Sequence, residues 1–292
     1  MSDPAGPDGL LAIIAGRGGL PRQIAERRQA HGLPYLLIVF PDCWEDWMGE
    51  HPHEHHVFEK VGQLFRALGR AGATHVVFAG AMNRPKIRPW RIDTKATGVL
   101  FKALRLLGQG DDAMLRGFAA IFEAEGLTMI GPREVLGQGA TVGPGALGAK
   151  GPGAQDRKDA AQAARIVAAT GALDIGQGAV VANGICLSVE AIEGTDLMLA
   201  NLGRLPADRR AACPAPSGVL FKGPKPGQDT RMDLPTIGPQ TVSGCVAAGL
   251  AGIVVAAGET MLLDGDATRQ AADAAGLFVY GAKAEELDAW AT

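Results

Sequence analysis

Paired cysteines, long apolar runs and clustered positive charge are all missing from this 292-residue chain, and each absence removes a class of protein. Its four cysteines, Cys43, Cys186, Cys213 and Cys245, are far apart and form no C-x-x-C pair, which excludes a zinc ribbon and a disulfide framework. A reducing cytoplasm fits that usage. The formal net charge of −3 offers no general attraction for nucleic acid, so no nucleic-acid partner is expected and any phosphate site must be local. The best apolar runs, 10–15 and 253–257, have strand length and fall well short of the roughly 20 residues that span a bilayer. Residues 1–8 lack the basic start and apolar stretch of a signal peptide and read as a floppy leader outside the fold.

Aromatic residues make up only 5% of the chain, whereas glycine is abundant, with 41 residues. That balance suits close-packed strands and helices joined by tight loops. The length predicts two domains of ordinary size. Short runs rich in Ile, Val and Leu at 10–15, 35–40, 74–79 and 127–130 alternate with helical spacing at 20–30, 61–71 and 111–125. This alternation predicts an α/β fold with a parallel sheet and flanking helices. The helix over 61–71 is expected to bury Leu64, Leu68 and Ala71. Glycine and proline then crowd 137–153, which predicts a flexible linker. Beyond it, helical spacing resumes at 156–169, and 179–190 reads as a hairpin turning on Asn183-Gly184. Further strands are predicted at 218–221, 252–256 and 277–280, with helices at 241–248 and 267–275. The expected organisation is an N-terminal Rossmann-like domain over 9–136, a linker over 137–153 and a C-terminal α/β domain over 154–292.

Gly16-Arg17-Gly18-Gly19-Leu20-Pro21 follows the first strand and opens a helix, where backbone N–H groups could meet an anion. Gly16, Gly18 and Gly19 are therefore candidates for nucleotide binding, although proline stands where a full G-x-G-x-x-G has its third glycine. Asn83 and Arg84 follow the 74–79 strand, and ligands of open α/β sheets bind outside the carboxyl ends of strands. Gly110-Asp111-Asp112 reads as a helix start with acidic caps. The densest polar segment, 219–239, brings together Lys222, Lys225, Asp229, Arg231 and Asp233. In an extended chain Asp229, Arg231 and Asp233 share a face. Pyrophosphate hydrolysis needs a carboxylate or metal to activate water and cations to neutralise phosphoryl oxygens, and this segment supplies both kinds of group. An ion-pair cluster that merely shapes the loop is the competing reading. Glu190 ends the hairpin and suits an oxygen-ligated Mg2+, while Thr195 reads as a helix cap or a site residue. The run His51-Pro52-His53-Glu54-His55-His56 is expected to be a solvated surface loop.

The opening strand and glycine loop, Gly80–Pro85, Gly110–Asp112, Val189–Asp196 and Lys222–Pro239 occur together and in order, and this set resembles the LpxI-type UDP-2,3-diacylglucosamine pyrophosphatases of lipid A biosynthesis. The resemblance covers nearly the whole chain. It implies hydrolysis of a lipid-linked UDP-sugar, UDP-2,3-diacylglucosamine, to UMP and 2,3-diacylglucosamine 1-phosphate, also called lipid X. It also implies dependence on a divalent cation, Mg2+ or Mn2+, and substrate held between the two domains. The essential aspartate of the family carries over to Asp233, with Asp229 as the competing choice, and Asp233 is the candidate metal ligand. A cytoplasmic enzyme with peripheral contact to the inner membrane is expected. Two acyl chains call for an apolar chamber, and a flexible linker would let an interdomain cleft open and close. Two rivals remain: an NAD-dependent oxidoreductase with Asp42 at the ribose, and a non-catalytic carrier of lipid or nucleotide sugar. No heptad or readable patch defines an oligomeric interface.

Overall fold

The computed structural model describes residues 5–82, 111–206, 215–228, 231 and 234–291. Asn83, Arg84, Gly110, Asp229 and Asp233 lie outside the described residues, as do the side chains of Asp111 and Asp112. The chain divides into two compact units, of which the first runs to Gly137 and takes in Arg231.

In the first unit β1 (Leu10–Ala15), β2 (Tyr35–Val39), β3 (His53–His55), β4 (Ala73–Ala79) and β5 (Thr128–Met129) form a parallel sheet in the order β3-β2-β1-β4-β5. Side chains alternate across a strand, so Leu11, Ile13 and Ala15 enter one core cluster and Ala12 and Ile14 the other. Helices α1 (Gly19–Ala30) and α4 (Pro132–Leu136) cover the first face with Ile24, Ala25 and Val135. Helices α2 (Val61–Ala71) and α3 (Asp111–Ala124) cover the second with Leu64, Leu68, Ala119 and Phe122. Burial on both faces explains why β1 and β2 read as unbroken apolar runs. On α2 the buried stripe is Leu64, Ala67 and Leu68, and Ala71 is exposed because the helix ends there on the left-handed Gly72.

Two expectations for this unit are corrected. Residues from Ala5 onward are held by the fold: Arg28, fully buried, donates from Nη1 to the carbonyls of Ala5 and Pro7 at 3.0 and 2.6 Å. Its Nη2 donates to the carbonyls of Gly9 and Pro34, both at 2.8 Å. The histidine run is likewise ordered, because 53–55 pairs with β2 as an edge strand. His51 is buried, with Nδ1 2.6 Å from the Tyr35 hydroxyl, and Trp44 lies 5.3 and 5.0 Å from the rings of His53 and His55.

The second unit is built on a mixed sheet in the order β6-β13-β11-β9-β7-β8. Its strands are β6 (Gly145–Ala146), β7 (Gly178–Ala182), β8 (Ile185–Val189), β9 (Val219–Lys222), β11 (Gly252–Ala256) and β13 (Phe278–Ala282). Strands β9, β11 and β13 run parallel, while β6 and β7 are antiparallel to their neighbours. A separate parallel pair joins β10 (Thr236–Ile237) to β12 (Met261–Leu262). One face, with Val180, Leu220, Ile253 and Val279, packs on α6 (Gly194–Gly203), α7 (Pro239–Ala247) and α8 (Gly265–Ala275). The other, with Ala179, Val219, Phe221 and Phe278, packs on α5 (Ala154–Gly171) and α9 (Ala284–Trp290).

The hairpin turn has φ of 48° at Asn183 and 76° at Gly184, the left-handed pair that a type I′ turn requires. Both N–H groups donate to the buried Asp159 carboxylate, at 2.9 and 2.8 Å. The expected flexible linker is the largest correction. From Gln138 onward the segment belongs to the second unit: Val142 is buried in its core, and the Leu147 N–H donates to the Val279 carbonyl at 2.9 Å. The Ala149 N–H donates to Asp273 Oδ1 at 2.8 Å. These bonds lay the segment down as a strap on the second unit, and a Cβ on Gly148 would run into the Asp273 carboxylate.

Candidate active site

The strand order of the first sheet reverses direction on the two sides of β1, so the loops after β1 and β4 flank a topological switch point. Those loops are bonded to each other. Arg17 and Ala81 exchange backbone hydrogen bonds of 2.9 Å, and a Cβ on Gly16 would come within 2.6 Å of the Gly80 carbonyl. Gly16 thus serves loop-to-loop packing. The Gly18 N–H at the start of α1 donates to Glu45 Oε1 at 2.9 Å, and Glu45 Oε2 accepts from Trp47 Nε1 at 2.7 Å. A carboxylate of the chain itself therefore takes a donor of the helix end where a nucleotide phosphate was expected. Glu45 stands 27 residues from Gly18, and no local pattern marks the pair. Gly19 is the first residue of α1. Asp42, the ribose candidate of the oxidoreductase reading, is exposed in a short 3-10 turn after β2.

In the second unit Lys222 ends β9 at the carboxyl edge of the parallel strands, the edge where α/β sheets place ligands. Its side chain shares a face with Leu220 and reaches the first turn of α6. Lys222 Nζ donates to Thr195 Oγ1 at 2.7 Å and to the Thr236 carbonyl at 3.3 Å. Glu190 Oε2 is 4.0 Å away, buried and without a hydrogen-bond partner among the described residues. Removed from water, such a group costs free energy unless something meets it. Cys245 of α7 is close enough for the Lys222 charge to oppose the effect of burial, which pushes the thiol well above its usual range. Thr195 is not the cap of α6, since it is the second residue of that helix and its hydroxyl accepts from Lys222.

Sequence proximity suggested one pocket of cations, but each of the three has its own acidic neighbour. Lys222 faces Glu190; Lys225 Nζ donates to Asp174 Oδ1 at 2.6 Å with its side chain 9% exposed; Arg231 Nη1 donates to Glu123 Oε1 at 3.3 Å with both side chains about half exposed. The shared face proposed for Asp229, Arg231 and Asp233 falls partly outside the described residues. Among the described residues no group of three or more His, Cys, Asp or Glu side chains could hold a metal ion. Glu190 is poorly suited to one because the Lys222 ammonium competes for the same oxygen. No described helix is long and apolar enough to cross a membrane.

Comparison with known proteins turns on both units. The LpxI N-terminal domain matches residues 10–138 and the LpxI C-terminal domain matches residues 143–280. The chain belongs to the LpxI family. It is 39% identical over 276 residues to the UDP-2,3-diacylglucosamine pyrophosphatase LpxI of Caulobacter vibrioides, covering 94% of this chain and 98% of that protein. The two LpxI domain matches meet between residues 138 and 143, next to the break between the compact units at Gly137 and Gln138.

Proposed function

We propose that the protein hydrolyses UDP-2,3-diacylglucosamine, breaking its pyrophosphate with one water to release UMP and lipid X. The observation that carries this reading is alignment of both domains, in order and over nearly the full length, with a relative named for that activity. Asp233 is the carboxylate assigned to orient and deprotonate the attacking water, with Asp229 as the alternative. Cationic groups would balance charge on the phosphoryl oxygens. Arg231 is assigned this task; its ion pair with Glu123 is about half exposed and of the kind worth only about 0–1 kcal/mol. Lys225 is held by Asp174 and is expected to supply field at a distance. Asn83, Arg84, Gly18 and Gly19 are assigned to the nucleotide, with Glu190 and Thr195 beside the polar loop.

A divalent cation, Mg2+ or Mn2+, is proposed to neutralise the pyrophosphate, with Asp233 among its ligands. Mg2+ commonly takes one or two carboxylates and completes its shell with water and phosphate. The acyl chains of the substrate support contact with a lipid surface, which this reading takes to be the cytoplasmic face of the inner membrane. Purified protein supplied with UDP-2,3-diacylglucosamine in detergent is expected to release UMP and lipid X in equal amounts, to stop with EDTA and to resume with added Mg2+. Well-folded protein that binds the lipid and releases neither product overturns the reading in favour of a carrier.

A further inference from the structure

Two loops meet at the open end of the hairpin formed by β7 and β8: 172–177 leads from α5 into β7, and 190–193 leads from β8 into α6. They are in contact, since a Cβ on Gly176 would overlap the Glu190 carbonyl. The first loop also borders the segment after β9. A Cβ on Gly171 would come within 3.0 Å of the Pro226 ring and 3.2 Å of Lys225, whose Nζ donates to Asp174 Oδ1 in that loop. Three aliphatic side chains stand out from these loops: Ile192 is 93% exposed, Leu173 73% and Ile175 40%. The first two are the most exposed large apolar residues among those described. Aliphatic residues scattered singly over a surface are ordinary, but a group of them on touching loops marks a contact site.

We propose that Leu173, Ile175 and Ile192 form a rim that inserts among the acyl chains of a lipid surface and seats the second unit on it. The choice of a lipid occupant rests on the hydrolase reading, whose substrate is acylated, and on the form and charge of the rim. Separate side chains at two loop tips give a protein partner little surface to pack on, whereas between acyl chains they bury their full apolar area. The charges beside the rim do not favour an anionic headgroup: Lys225 is bonded to Asp174, Lys222 faces Glu190, and Glu193 and Asp196 are acidic. Apolar transfer therefore carries the contact, and salt should not weaken it.

Sedimentation of the full chain with vesicles of uncharged phosphatidylcholine tests the rim. The wild type is expected to bind them, with a partition coefficient that changes less than about twofold between low and high salt. Full burial of one such side chain is worth roughly ten- to a hundredfold in partition, so Leu173→Ser with Ile192→Ser is expected to lower the coefficient at least about 30-fold. Ile185→Ser with Leu205→Ser is the control. Those residues are 46% and 40% exposed at the far ends of β8 and α6, and their replacement is expected to change the coefficient less than about threefold. Both double variants are expected to release UMP from detergent-dissolved substrate within about twofold of the wild-type rate. No binding of the wild type to these vesicles overturns the proposal, as does an equal loss in the two double variants or none in the first. A wild-type dimer, seen by sedimentation velocity and lost in Leu173→Ser with Ile192→Ser, also overturns it by assigning the rim to a second copy. If the wild type does not hydrolyse the dissolved substrate the hydrolase reading fails, and vesicle binding alone then decides the rim.

Discussion

Arg28 is the residue whose loss should most disturb the first unit. It is fully buried, and its guanidinium joins Ala5 and Pro7 of the N-terminal segment to Gly9 before β1 and Pro34 before β2. Burial pulls its pKa below the usual arginine value, with Asp8 pulling the other way, and it remains charged at neutral pH. A hydrogen bond from a charged group contributes about 1.5–3 kcal/mol. In Arg28→Met the carbonyls of Ala5 and Pro7 regain water once residues 5–8 peel away. The carbonyls of Gly9 and Pro34 are tied to the sheet, so their two bonds dominate the loss, partly offset because no guanidinium must be desolvated. The net expectation is about 3 kcal/mol, or roughly 10 °C in the melting transition of a unit this size. Calorimetry should show the first unit's transition falling while the second unit's holds. Arg22→Ala is the control: its exposed i,i+4 pair with Glu26 should shift that transition by no more than about 1–2 °C. A shift in Arg28→Met no larger than the control's would refute the reasoning.

Three further outcomes follow from named contacts. Gly16→Ala would bring a methyl within 2.6 Å of the Gly80 carbonyl, and Gly80→Ala adds strain at a φ of 85°; each should cost about 2–4 kcal/mol in denaturant unfolding, with Gly80→Ala the worse. Glu45→Ala releases the Gly18 N–H and should tighten UMP binding about three- to tenfold in calorimetric titration, whereas an unchanged affinity would detach this loop from the nucleotide. Glu286 caps α9, and its carboxyl is held below the usual value, first by the Lys283 N–H and, against partial burial, by the Tyr280 hydroxyl. A depressed carboxyl stabilises the fold above its unfolded-state pKa and loses that effect as pH falls through the folded value. Glu286→Gln should therefore be less stable than wild type at pH 7 by about 0.5–1 kcal/mol, with the gap closing as pH falls through the depressed folded value.

Elements buried on both faces were legible because their signal is local: β1, β2, β4, β9 and β11 read as apolar runs, and the Asn183-Gly184 turn follows from backbone preference alone. Among the strands of two or three residues, β5 lay in the apolar run at 127–130, whereas β3, β6, β10 and β12 were not legible, since pairing with a partner defines them. The strap over 138–153 read as a linker because glycine marks close approach as well as freedom, and composition does not separate the two. Site chemistry divides the same way. The order of motifs carried the hydrolase expectation, but the acidic neighbours of Lys222, Lys225 and Arg231, namely Glu190, Asp174 and Glu123, lie far along the chain and could not be read from it. Glu45 on Gly18 and Thr236 on Lys222 are contacts of the same long-range kind.

The central claim, that this is a hydrolase working through Asp233, is tested most directly by measuring UMP release from UDP-2,3-diacylglucosamine by the wild type and by Asp233→Asn side by side. The account predicts metal-dependent turnover by the wild type and a loss of about 100- to 10,000-fold in kcat in the variant, the range expected when a general base is removed. Equal turnover by the two proteins would contradict the assignment of Asp233, and no turnover by either would contradict the hydrolase.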